Sequence, residues 1–321
     1  MLKKVFQILL ISIAGIYFFA AHAQQYPEKP IRLISPIPPG GAPDLVARAL
    51  AATLTKQMGL SVFVENKVGS NGNIAADFVA NAPADGYTLL IGMDSLFVIN
   101  PFLYKKILDA NKQFKPIATL AANEFVLAIN PKVPANNLKE FVEYVKKTKP
   151  APAYASGGNG SQHHLTMEML KSRAGIDLLH IPYKGGVEAT TATMGGDSVA
   201  MFSGTSNAGL IKSGKLKAIA VSGANRSKEM PDVPTIAETY PGFDNTIWIG
   251  LFASKDTPEA IIQKMRLEVN KALKDPSMVE SLNKAGGIEP LITSSEEFAN
   301  LIKKDQNKYS TIIRSLNLQL D

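Results

Sequence analysis

The sequence predicts an α/β protein built from two lobes. Strand-like apolar runs alternate with helix-like periodic segments, which is typical of parallel sheets joined by crossover helices. Without an N-terminal leader, about 298 of the 321 residues remain, and a chain of that size commonly divides into two domains. Cysteine is absent, so packing must stabilise both lobes without disulfides or thiolate metal sites.

The N-terminus has the order of a secretory signal. Lys3 and Lys4 precede an apolar run over residues 5–21, and the small-x-small tripeptide Ala21-His22-Ala23 follows. A transmembrane anchor is the alternative, but the run is at the short limit for spanning a bilayer. We therefore expect cleavage after Ala23, a signal peptide over residues 1–23 and a mature protein in the periplasm.

The first lobe begins with a βαβαβ pattern. Val46, Leu50 and Leu54 lie on one face of its first helix, and Gly59 is the expected stop. The predicted elements are a strand at 31–37, a turn at 38–41, a helix from Pro43, a strand at 61–65, a helix at 73–81 and a strand at 87–92.

An extended segment at 116–130 is expected to cross to the second lobe, and residues 217–222 to carry the chain back. Between them we predict helices at 137–147, from Ser161 and at 187–194, with strands at 153–156, 178–183 and 199–203. Helices at 258–273 and 295–316 then complete the first lobe. The predicted domains are residues 24–122 with 223–321, and residues 123–222.

Two crossings create a hinged cleft, the architecture of receptors that close on a ligand by rigid-body motion. Two glycine-rich segments, residues 35–44 and 154–163, each follow a strand and lead into a helix. Free N–H groups at such places favour anions. An ordinary tight turn is the alternative for the first segment, whereas the second has Ser161 as a helix cap.

Other kinds of site lack their motifs. The run from Gly158 to His163 has no third glycine for a dinucleotide, and no phosphate-binding GxxxxGK[ST] occurs. Neighbouring His163 and His164 point about 100° apart on a helix, so they cannot readily share a metal. The net charge is +6, but the sequence contains no long run of basic residues, which argues against a nucleic-acid-binding protein. We expect no cofactor and no metal.

A secreted hydrolase remains the rival class. The nucleophile-elbow pattern GxSxG fails at Ser156, where Tyr154 replaces the first glycine, and it also fails at Ser161. A receptor leaves its ligand chemically unchanged, whereas a hydrolase turns it over. We predict that the protein is not an enzyme and has no catalytic residue.

Nine segments in order resemble those of the Bug-type receptors of tripartite tricarboxylate transporters, across essentially the whole mature chain. They are Tyr26-Pro-Glu-Lys-Pro-Ile-Arg-Leu-Ile, Pro38-Pro-Gly-Gly-Ala-Pro-Asp44, Val64-Glu-Asn66, Gly72-Asn-Ile74, Asp85-Gly-Tyr-Thr-Leu89, Asn159-Gly-Ser161, His180-Ile-Pro-Tyr-Lys-Gly185, Gly214-Lys-Leu-Lys-Ala218 and Pro231-Asp-Val-Pro-Thr235. The resemblance implies a type II periplasmic-binding-protein fold whose two glycine-rich loops grip a ligand carboxylate.

The resemblance also implies the binding residues and partners. By position, Ile37, Gly40 and Gly41 would form one side of the grip, and Ser156, Gly157, Asn159, Gly160 and Ser161 the other, with Ser95 and Ser203 along the walls. Family members often have phenylalanine at the position of Ile37 and aspartate at that of Ser203. The implied partners are a small organic carboxylate and a two-component membrane permease, or a sensor kinase instead. We expect a monomer.

Overall fold

The computed structural model describes residues 26–204, 207–285, 288–316 and 318–320. The predicted signal peptide and its cleavage site after Ala23 lie outside these residues. Strands in the described chain are β1 Ile31–Ser35, β2 Val62–Asn66, β3 Thr88–Met93, β4 Phe114–Ile129, β5 Ala153–Ser156, β6 Leu179–Pro182, β7 Ala200–Gly204, β8 Lys217–Val221, β9 Thr246–Ser254 and β10 Glu289–Pro290.

Helices connect and cover these strands. They are α1 Ala42–Met58, α2 Asn73–Ala80, α3 Asp94–Val98, α4 Asn100–Leu103, α5 Ala110–Gln113, α6 Leu138–Lys147, α7 Gln162–Ala174, α8 Gly186–Gly195, α9 Ala208–Lys212, α10 Glu259–Ala272, α11 Pro276–Lys284 and α12 Ser295–Ser315. The predicted helices are confirmed with shifts of one or two residues at most ends. The sequence did not predict α3, α4, α5, α9 or α11, all shorter than ten residues.

The first core forms on both faces of one part of the sheet. β1 pairs in parallel with β2 and β3, and β9 runs antiparallel to β3. Leu33 packs with Leu50 of α1 and Met265 of α10, whereas its neighbour Ile34 is in the cluster that includes Phe298 of α12. This alternation follows from the two-residue period of a strand, which sends successive side chains to opposite faces.

The second core forms around three parallel strands. β5 pairs in parallel with both β6 and β7. Phe141 of α6 and Leu170 of α7 pack with Tyr154 and Phe202 of the strands, and all four are fully buried. Burial of each such side chain contributes about 1.5–3 kcal/mol, so helices α6 and α7 are held mainly by this apolar contact.

β4 and β9 run antiparallel to each other between the two cores. β4 pairs with β9 over residues 114–124 and with β7 and β8 over residues 125–129. Residues 217–222 were predicted to carry the chain back to the first lobe; in the structure, β8 pairs with the second half of β4. The returning strand is β9, which no sequence signal had assigned, and Ile236 and Phe243 before it still pack in the second core.

No helix within the described residues is both long enough and apolar enough to span a bilayer.

Candidate functional site

The first glycine-rich segment forms a tight loop over residues 36–41, here called the first loop. It follows β1 and leads directly into α1. Gly40 has φ +92°, in the region that favours glycine, and a Cβ atom on Gly41 would overlap the end of the Ile37 side chain. The three predicted binding residues of this loop therefore lie together, and glycine is required at the turn.

Asp44 holds the first loop in place from inside α1. The Gly40 N–H donates to Asp44 Oδ2 (3.0 Å), Arg48 donates to both carboxylate oxygens, and Asn66 donates to Oδ1 (2.7 Å). Asn66 also donates to the Ile37 carbonyl (2.9 Å). Asp44 is therefore a structural anchor of the first loop.

The second glycine-rich segment forms a loop over residues 156–161, here called the second loop, between β5 and α7. The Gly158 N–H donates to Ser156 Oγ (3.1 Å), and the Ser161 N–H donates to the Gly158 carbonyl (3.2 Å). Ser161 is the N-cap of α7, as predicted, and its hydroxyl accepts from the His164 N–H (3.3 Å). Within the described chain, the N–H groups of Gly157 and Asn159 have no hydrogen-bond partner.

Two histidines lie beneath the second loop. The Gly160 N–H donates to His164 Nδ1 (3.0 Å), and Ser156 Oγ lies 2.6 Å from His180 Nε2. The two imidazoles stack with their centroids 3.9 Å apart. Burial lowers the pKa of each ring to about 4, so both are neutral near pH 7. Sequence reasoning gave neither histidine a role in the site, because Ser156 and His180 are 24 residues apart in sequence and the bond from Gly160 to His164 depends on the conformation of the loop.

The two loops approach each other through the segment after β6. A Cβ atom on Gly185 would lie 3.7 Å from Pro38 Cγ in the first loop, and one on Gly157 would lie 3.2 Å from the Gly186 N atom. Gly185 and Gly186 therefore bridge the two loops, and they are site residues that sequence reasoning missed. The segment from His180 to Gly185 is one of the nine family segments, but the sequence alone did not show that it lies between the two loops.

Ser203 lies near the carboxyl end of β7, as the predicted strand at 199–203 indicated, whereas Ser95 lies in the first turn of α3, directly after β3. Both are buried, and Ser203 Oγ accepts from the Asn207 amide (2.6 Å). No hydrogen bond in the described chain joins Ser95 or Ser203 to either loop. Asn207 also donates to Thr190 Oγ1 (2.9 Å), so it links Ser203 to α8, a contact that sequence reasoning missed.

A buried carboxyl joins the first core to α7. The Gln162 amide donates to Asp94 Oδ2 (2.5 Å), and the Tyr309 hydroxyl donates to Gln162 Oε1 (3.0 Å). Since Asp94 precedes Ser95 and Gln162 follows Ser161, this contact brings the two predicted serines toward the same region. Burial raises the pKa of Asp94 to about 8, so its carboxyl is largely protonated at neutral pH.

Comparisons with known proteins assign the chain to a family. Residues 46–318 match the TctC sequence profile, which describes the tripartite tricarboxylate transporter family receptor. The chain belongs to this receptor family. A UPF0065 protein of Bordetella pertussis is 34% identical over 99% of this chain and 98% of its own length. BugT of the same organism is 33% identical over 97% of this chain and 98% of its own length.

Solved structures of similar receptors have the same fold. BugD, a periplasmic binding protein, is 32% identical, covers 92% of this chain and 100% of its own, and has a TM-score of 0.84. A Rhodopseudomonas palustris protein with adipate is 26% identical, with coverage of 92% and 100% and a TM-score of 0.88. MatC of R. palustris with bound malate is 29% identical, with coverage of 90% and 100% and a TM-score of 0.82.

These findings confirm the family resemblance and the two-core α/β fold of periplasmic binding proteins. This TctC-family protein is a periplasmic solute-binding receptor. Two of its solved relatives hold a dicarboxylate.

Proposed function

We propose that this receptor grips a small organic carboxylate between the first and second loops and delivers it to a two-component membrane permease. The observation that carries the proposal is the approach of two glycine-rich loops to the same segment, with Pro38 of the first loop beside Gly185 and Gly157 of the second loop beside Gly186. The unpaired N–H groups of Gly157 and Asn159 are suited to an anionic oxygen. Malate and adipate in similar receptors support the ligand class.

We propose the same binding residues that the sequence indicated, with one change in the role of Gly160. Its N–H already donates to His164 Nδ1, so the ligand contacts of this loop are assigned to the N–H groups of Gly157 and Asn159. Ile37, Gly40, Gly41, Ser156 and Ser161 complete the grip, with Ser95 and Ser203 as walls.

The two cores are proposed to be lobes that move about β4 and β9. The point at which the chain leaves the first lobe for the second is still proposed near residue 122. The point of return is now proposed near residue 245 instead of 222, because Ile236 and Phe243 pack in the second core. We also propose export with cleavage after Ala23, and action as a monomer.

We propose a ligand without an ammonium group. Ser203 supplies no negative charge, Asp44 is paired with Arg48, and the raised pKa of Asp94 keeps that carboxyl largely neutral. An ammonium buried without a carboxylate partner is costly, so amino acids should bind poorly. Succinate, malate and adipate fit this site better than aspartate or glutamate.

The test is native mass spectrometry of protein purified without refolding, followed by thermal shift with those five acids and with sugars. Ligand at a hundred times its dissociation constant should stabilise the fold by about 2.7 kcal/mol. Stabilisation by sugars alone would contradict the carboxylate proposal. Tight aspartate or glutamate binding would show that another group supplies the counter-charge.

One observation favours a hydrolase as the second candidate, because a serine beside a histidine is the arrangement of a nucleophile and its base. Against this, Ser156 has no exposed surface and its hydroxyl also contacts the Gly158 backbone. Incubation with carboxylate esters discriminates the two, since a receptor releases no product and a hydrolase does.

A further inference from the structure

Both ligand loops contain the same local device. In each loop, a glycine in the left-handed region donates its N–H to the side chain four residues later. Gly40, with φ +92°, donates to Asp44 Oδ2 (3.0 Å), and Gly160, with φ +71°, donates to His164 Nδ1 (3.0 Å). The acceptor atom is at the δ position in both cases, but one is a carboxylate oxygen and the other an imidazole nitrogen.

The hydrogen bond from Gly160 defines the protonation state of His164. A backbone N–H can only donate, so Nδ1 must be the unprotonated nitrogen and the ring proton must be on Nε2. A second proton on the ring would place an N–H group against the Gly160 N–H. The second loop therefore keeps this contact only while His164 is neutral.

His180 holds the other end of the same loop. Its Nε2 lies 2.6 Å from Ser156 Oγ, and its ring stacks on that of His164 with the centroids 3.9 Å apart and lies against that of Tyr154 at 4.9 Å. Ser156 and Gly160, the first and fifth residues of the loop, are thus attached to one stack of rings.

The charged groups around the stack are occupied with each other. On α7, Lys171 pairs with Glu168 (2.8 Å), and Glu168 also accepts from the Tyr154 hydroxyl of β5 (2.7 Å). The ring of His163, the remaining titratable neighbour on α7, packs at a tilt against Phe125 of β4, with the centroids 4.8 Å apart. None of these groups forms an ion pair with either imidazole in the described chain.

We propose that His164 and His180 are positioning residues for the ligand grip. His164 draws the Gly160 N–H beneath the loop and His180 fixes the Ser156 hydroxyl, which leaves the N–H groups of Gly157 and Asn159 as the donors for a carboxylate. The inference rests on the proposed function, and it assigns a role to two side chains that need not touch the ligand.

The different reach of asparagine and glutamine tests this geometry. Asparagine has its polar atoms at the δ position, which matches His164 Nδ1, whereas glutamine has them at the ε position, which matches His180 Nε2. We expect His164→Asn and His180→Gln to keep malate affinity within about threefold. His164→Gln and His180→Asn should weaken it about tenfold or more, as expected for a lost hydrogen bond.

Isothermal titration with malate or adipate gives the affinities, and thermal unfolding of each free variant gives its stability. A purely structural role predicts equal affinity among the folded variants, whatever their stability. The proposal would be overturned if the same substitution, Asn or Gln, gave the tighter binding at both positions.

Nitrogen NMR of the ligand-free wild type supplies a measurement that needs neither a variant nor a ligand. We expect a scalar coupling between the Gly160 amide nitrogen and His164 Nδ1, which disappears when the ring is protonated in acid. Failure to bind any carboxylate while this coupling is present would overturn the proposed function, and with it the role in binding, but would leave the histidine-supported loop geometry standing. Absence of the coupling at neutral pH would overturn the inference itself.

Discussion

Asp44 and Asp94 are both almost completely buried, yet their surroundings move their pKa values in opposite directions. Burial raises the pKa of Asp44, but hydrogen bonds from Arg48, Asn66 and the Gly40 N–H outweigh it, so its pKa lies below the ordinary value. For Asp94 burial dominates and the nearby Asp305 adds to it, so the pKa rises to about 8. The first carboxyl supports a loop as an anion, and the second joins two elements largely as a neutral acid.

The raised pKa of Asp94 predicts a pH-dependent effect of Asp94→Asn. Between about pH 4 and pH 8 the folded state holds a proton on Asp94 that the unfolded state has lost, so this group destabilises the fold increasingly as the pH rises. The variant cannot ionise. Its free energy of unfolding relative to wild type should therefore increase from pH 5 to pH 8 in urea denaturation.

Asp44→Asn is the matched comparison for that series. The pKa of the wild-type Asp44 is lowered in the folded state, so the stability that its carboxylate contributes is present at neutral pH and is lost only as the pH falls below about 4. The loss in free energy of unfolding caused by Asp44→Asn should be constant from pH 5 to pH 8. A constant difference for Asp94→Asn over the same range would contradict the raised pKa.

Helix α7 combines structural and binding roles at its first turn. Ser161 caps the helix and belongs to the second loop, whereas Ser294 caps α12 on the exposed surface with a complete capping box. Both hydroxyls accept from the N–H three residues later. The two caps are therefore chemically matched, and only one lies in the candidate site.

We predict that Ser161→Ala and Ser294→Ala each cost about 0.5–2 kcal/mol of stability through the lost cap. Only Ser161→Ala should also weaken carboxylate binding. Chemical denaturation measures the first effect and calorimetric titration the second. Unchanged affinity in folded Ser161→Ala would show that Ser161 acts solely as a cap.

Most elements could be predicted because their signals are local. The helix-stop Gly59, the cap Ser161 and the apolar face of α6 each depend on residues within a few positions. β9 was missed because its continuous apolar run has no periodicity that separates a strand from a buried helix. The two glycine-rich loops were predictable as candidates.

The support beneath the second loop could not be predicted, since the contact between Ser156 and His180 depends on how β5 pairs with β6. The bridge through Gly185 likewise depends on the relative position of the two cores.

At the scale of the whole molecule, the approach of Pro38 to Gly185 can be tested directly because the chain has no cysteine. The double variant Pro38→Cys with Gly185→Cys should form an internal disulfide on mild oxidation, since a Cβ atom on Gly185 would lie 3.7 Å from Pro38 Cγ and a small adjustment brings the two sulfur atoms together. Ligand added before oxidation should then dissociate far more slowly than from the reduced form. Mass spectrometry detects the bond, and the reduced double variant and each single variant are controls.

Dissociation that is equally fast from the oxidised and reduced forms would contradict a ligand site between these loops. Failure of the disulfide to form would indicate that the loops stay apart in solution.

The central position of β9 has a consequence for biosynthesis. A nascent chain that ends before Thr246 contains β3 and β4 but lacks the strand between them, so two edges that are paired in the mature sheet are open. Gly92 and Gly250 pair across roughly 160 residues, and contacts of such separation form slowly. The sheet cannot close until most of the polypeptide has been translated. Synthesis of this periplasmic receptor must therefore be nearly finished before its central sheet can form.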